Sequence, residues 1–131
     1  MNEHKWQSRV LIIQAPSDSS NAYQEQIKEF RDSENELKER KIVLYEVIND
    51  MVRMTDYHGE KSDNSWQKAH KSMIAEFGGD DEFRITLIGL DGGIKLEKRT
   101  VLKMEELFGK IDSMPMRMNE LKNQQRTTKN K

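Results

Sequence analysis

The segment Phe83-Arg-Ile-Thr-Leu-Ile-Gly-Leu-Asp-Gly-Gly-Ile-Lys95 constrains the fold more than any other part of the chain. Apolar side chains fall on both parities between Phe83 and Leu90: Phe83, Ile85 and Leu87 on one, Ile88 and Leu90 on the other. A strand with that pattern is covered on both faces and belongs in the middle of a sheet. Asp91-Gly92-Gly93 then tolerates positive φ, and Ile94 and Leu96 alternate with Lys95 and Glu97. That order predicts a hairpin into a half-exposed strand.

Two other runs share the β-rich character. Arg9 to Ala15 is a short buried strand, stopped by Pro16 and the polar residues 17–21. Ile42 to Ile48 is the second. Between them Asn21 and Gln24 have capping-box spacing, and Tyr23, Ile27, Phe30 and Leu37 recur at helical intervals, so one helix is expected from Ala22 to Arg40. Strand, helix, strand at this spacing makes a βαβ unit with parallel strands and a right-handed crossover.

Residues 51–61 show no clear period and read as an irregular excursion. From Asp63 or Asn64 a second helix is expected, with Trp66, Ala69, Met73 and Phe77 on one face and Gly78-Gly79 as its stop. After the hairpin, Met104, Leu107, Phe108, Ile111 and Met114 form an amphipathic stripe ended by Pro115, with Phe108 placed in the core. The expected architecture is α/β, in the order β-α-β-α-β-β-α, with a four-stranded mixed sheet flanked by helices.

A chain of 131 residues fits a single domain, here residues 1–121. Residues 122–131 hold four basic side chains and nothing acidic or apolar, a pattern expected of a disordered tail. With 22 basic against 23 acidic residues the net charge is -1, so no overall field draws the chain to nucleic acid. The basic tail lacks aromatic residues for base stacking, and nucleic acid is not an expected partner. No apolar run approaches the roughly 20 residues of a membrane helix, so no membrane association is expected. The chain has no cysteine, which removes disulfides, thiolate nucleophiles and cysteine metal sites together.

Three stretches carry a resemblance. Arg-Val-Leu-Ile-Ile followed by Ala15-Pro16, the run from Thr86 to Leu96, and the run from Glu106 to Arg117 ending Ile-Asp-Ser-Met-Pro-Met-Arg resemble an uncharacterised bacterial domain family. The same domain is similar to one in the sushi-repeat-containing and coiled-coil-domain-containing proteins of animal extracellular matrix. The resemblance spans residues 5–121 and implies a thioredoxin-like fold, a mostly exported family and no established activity. A periplasmic or secreted location is therefore expected. Lys103 departs from the pattern where relatives carry a small capping residue.

In a thioredoxin the two cysteines occupy the turn after the first strand, and their spacing falls here on Asp18 and Asn21. Asp18, Ser19, Ser20 and Asn21 at that helix start have capping and turn-forming roles as their plain reading. The sharper reading makes them a binding site for a small anion or a partner carboxylate, through backbone N–H groups with Ser19 and Ser20, although Asp18 beside them opposes an anion. The proline that precedes the central strand of thioredoxins is replaced by Asp81-Glu82. Met116, Arg117 and Met118 are the second candidate, as an exposed apolar lip beyond Pro115. His4, His58 and His70 lack metal-pair spacing, so neither a metal nor a cofactor is expected. The resulting expectation is a redox-inactive binding or scaffold module with a protein partner. The alternative is an enzyme with thiol-independent chemistry at the turn after the first strand.

Overall fold

Strand β1 (Arg9–Ala15) is buried along its whole length and is hydrogen-bonded on both edges. In the computed structural model, which describes residues 7–57, 65–77, 82–114 and 117, it is followed by helices α1 (Asn21–Arg31) and α2 (Glu34–Glu39). Next come β2 (Ile42–Ile48), β3 (Met51–Asp56), β4 (Gln67–Lys68) and helix α3 (Lys71–Phe77). The chain continues through β5 (Arg84–Ile88), β6 (Ile94–Lys98) and α4 (Met104–Asp112). All six strands form one sheet in the order β4-β3-β2-β1-β5-β6.

The expected parallel pair is present, with β1 beside β2 in register from Arg9 opposite Ile42 to Ala15 opposite Ile48. β5 runs antiparallel to β1 and to β6, and its position between them explains its two apolar faces. Gly92 adopts φ 83° in the hairpin, where the Gly89 N–H donates to the Gly93 carbonyl at 2.9 Å.

Six strands replace the expected four. The difference lies at Met51–Asp56, expected to be irregular, which pairs antiparallel with β2. Asn49 takes φ 55° and lets a two-residue turn reverse the chain, so Ile48 faces Met51 across the hairpin. Every residue of β3 is only half-buried, and alternation is correspondingly weak. β4 adds two residues to its outer edge.

The first helix is also divided. Ser33 at φ -130° leaves the helical region, and its N–H donates to Phe30 rather than to the carbonyl four residues back. Asp32 and Ser33 are residue types that favour such interruptions. Ser20, not Asn21, is the N-cap of α1, accepting the Tyr23 N–H at 3.4 Å. α3 begins at Lys71 because the backbone at Gln67 and Lys68 is taken by the sheet. Asp63, Asn64, Gly78, Gly79, Trp6, Pro115 and the tail 122–131 lie outside the described residues.

One face of the sheet packs Leu11, Ile13, Leu44, Ile85 and Leu87 against Tyr23 and Phe30 of α1, Leu37 of α2 and Leu107 and Ile111 of α4. The other packs Val10, Ile12, Val43, Val47 and Ile88 with Met73 of α3. Phe108 is half-buried, not central, with the Arg40 guanidinium 4.2 Å from its ring centroid. Lys103 provides no side-chain cap for α4, and Glu29 of α1 takes the role by accepting the Met104 N–H at 3.1 Å. Gln26 is fully buried and grips the loop before α4, donating to the Leu102 carbonyl at 2.8 Å and accepting its N–H at 2.7 Å.

Candidate functional site

The parallel strands β1 and β2 end side by side at Ala15 and Ile48. Crevices beyond the carboxyl ends of parallel strands are where open α/β sheets characteristically bind ligands. The turn from Pro16 to Ser20 crosses this end and is internally tied. The Ser17 and Ser19 hydroxyls pair at 2.9 Å, and the Asp18 carbonyl accepts from Gln24 Nε2 at 3.2 Å. With Ser20 occupied as the N-cap, these hydroxyls shape the turn. Asn21 is exposed at the first position of α1.

Asp18 is exposed and lines a hollow of about 260 Å³ together with Ile48, Asn49, Asp50, Met51 and Trp66. Neither Asp18 nor Asp50 forms an ion pair with another described residue. Trp66 is among the few exposed large apolar side chains of the described residues. The hollow therefore joins an indole, a thioether and a branched alkyl chain to two carboxylates. Asp50, Met51 and Trp66 carry no motif of their own; the two-residue turn that brings β3 back beside β2 places the first two near Asp18, and the pairing of β4 with β3 brings Trp66.

Trp66 is held from behind. The Arg53 guanidinium lies 4.7 Å from its ring centroid and binds Glu46 through two hydrogen bonds, of 2.9 Å and 2.8 Å. Glu46, 2% exposed in the middle of β2, also accepts from the Tyr23 hydroxyl. Burial raises the Tyr23 phenol well above its ordinary range, and the Glu46 carboxylate raises it further. Tyr57 beside this group is pushed up to about 12, by burial first and then by the charges of Glu46 and Glu34. These phenols stay protonated at neutral pH, and the carboxylate is matched by Arg53. The cluster is a buried brace rather than an acid–base pair.

Met116 and Met118 lie outside the described residues. Arg117, placed beside them as part of an exposed lip, is 1% exposed and bonds Glu39 Oε1 at 2.9 Å and Asp112 Oδ1 at 3.1 Å. Arg40 holds the same Asp112 through two more bonds. Burial opposes the Asp112 charge, but hydrogen bonds from Arg40 and Arg117 outweigh it and keep the carboxyl below the usual range. Arg117 thus fastens the end of α4 to α2. Among the described residues no group of three potential metal ligands converges, and no helix is long and apolar enough to cross a membrane.

A family model described as a domain of unknown function, DUF4174, matches residues 1–120. The chain belongs to the DUF4174 family. The match takes in both ends of the sheet and every residue that lines the hollow. No curated protein matches this DUF4174 chain.

Proposed function

We propose that this DUF4174 domain is a non-enzymatic protein-binding module with a thioredoxin-like sheet, and that it recognises a cationic side chain of its partner at the hollow beside Asp18. The sheet reading is supported by the order β2-β1-β5-β6, with β1 and β2 parallel, β5 and β6 an antiparallel hairpin, and helices on both faces. β3 and β4 are then an added edge beyond that unit. A chain without cysteine cannot perform the dithiol chemistry of such folds, while the surface where that chemistry occurs remains available for recognition. The resemblance to an exported family supports action outside the cytoplasm, and fractionation of cells expressing the native gene tests that location.

The observation that carries the binding reading is the composition of the hollow: two carboxylates without ion-pair partners among the described residues, around an exposed indole. A lysine or arginine side chain satisfies both parts, with its alkyl stem against Met51 and Trp66 and its charge toward Asp18 and Asp50. Isothermal titration with a lysine-rich peptide is expected to give saturable binding that an acidic peptide of equal length does not. Asp18→Asn combined with Asp50→Asn is expected to weaken it about tenfold, equivalent to about 1.4 kcal/mol. Equal affinity for the acidic peptide would refute the proposal.

A further inference from the structure

A hollow of about 390 Å³ lies at the opposite end of β1, where Arg9 begins the strand. The six steps of about 3.3 Å from Arg9 to Ala15 make β1 about 20 Å long between its two ends. The charged walls of the hollow are Arg9, Lys95, Lys110 and Asp91, and Leu90 and Met114 supply apolar surface. The geometry points to a second binding site here, for a small oxyanion carrying an apolar group, such as an organic phosphate or carboxylate.

Three cations meet one carboxylate, and that carboxylate is engaged. Asp91 accepts the Gly93 N–H at 2.9 Å and the Lys95 ammonium at 2.9 Å. The Gly93 N–H, followed by Lys95, holds the Asp91 carboxyl below its ordinary range, so it stays ionised and localised on these partners. The Lys110 side chain makes no ion pair with any described residue and stands at the rim. Arg9, 1% exposed, also lines the hollow, and its Nη1 donates to the Arg40 carbonyl at 2.9 Å. An arriving oxyanion meets the Lys110 charge, which no described residue offsets.

The end of α4 contributes carbonyl dipoles that oppose an anion, but two of them are occupied. The Lys110 carbonyl accepts the Ser113 hydroxyl at 2.7 Å, and the Ile111 carbonyl accepts the Met114 N–H at 3.0 Å. Gly89 keeps the site open: a Cβ there would stand 2.7 Å from Lys95 Cε and displace the lysine. The atom displaced is the far end of a flexible side chain, so the change moves a ligand group without disturbing the backbone.

The test is an NMR titration of the full chain with phenyl phosphate, benzoate and inorganic phosphate, with benzylamine as the opposite charge. Phenyl phosphate and benzoate are expected to shift the amides of Leu90, Lys95 and Lys110 saturably. The stronger of the two identifies the headgroup, and inorganic phosphate binds more weakly for want of the apolar contact. Lys110→Gln and Gly89→Ala are each expected to weaken binding about fivefold. Asp91→Asn, which keeps an acceptor for Gly93 and releases Lys95, is expected to strengthen it. Benzylamine binding as tightly as the anions, or anion affinity unchanged by Lys110→Gln in a folded protein, overturns the site.

Discussion

Tyr57 is the residue at which the brace behind Trp66 becomes measurable. Its phenol titrates near 10.0 in an unfolded chain and is pushed up to about 12 in the fold. Between those values the unfolded state releases a proton that the folded state keeps, so stability is complete below pH 10 and falls as pH rises toward 12. Urea midpoints across that interval are expected to decline less steeply in Tyr57→Phe, with a remainder from Tyr23, whose phenol is raised in the same direction. A slope identical to the parent protein would show that Tyr57 does not share the buried environment of Glu46. Little of this was readable beforehand. Glu46 is a lone acid within an apolar run, and its meaning depends on Arg53, seven residues on, which meets it only across the β2–β3 hairpin.

At the scale of elements, α1 is joined to the loop before α4 by the Gln26 amide, beside the Glu29 cap on Met104. Gln26 pairs with both backbone groups of Leu102 as a strand would, inside the core. Gln26→Ala removes the donor and the acceptor together and leaves the Leu102 N–H and carbonyl buried without partners. The expected loss is about 3 kcal/mol by chemical denaturation, and a loss below about 1 kcal/mol would contradict the pairing. The apolar periodicity of Tyr23, Phe30 and Leu37 did reveal the helical segment, because those side chains face the sheet. It could not reveal Gln26, since a polar residue on a buried stripe gains meaning only from its partner 76 residues away. The break at Ser33 was hidden for a related reason: the apolar stripe continues across it to Leu37. β3 escaped detection because its six residues are all half-buried, and partial burial on both faces leaves weak alternation.

At the scale of the molecule, β1, β2 and β5 were legible because they are almost wholly buried, and the edge strand β6 because the Asp91-Gly92-Gly93 turn before it carries a chemical signature. The hollow at the carboxyl ends was legible only in part. Asp18 was expected at the turn before α1, but Asp50 and Met51 reach it through the β2–β3 hairpin and Trp66 through the β3–β4 pairing, neither of which the sequence advertises. The sheet thus has an acidic, aromatic hollow at one end of β1 and a basic one at the other. Recognition at the first is the central claim, and mapping of ¹⁵N-labelled protein during titration with a lysine-rich peptide tests it most directly. The expected shifts are confined to the amides of residues 18–21 and 49–51 and to the Trp66 indole N–H. Shifts centred on β6 or α4, with those positions unmoved at saturation, would contradict it.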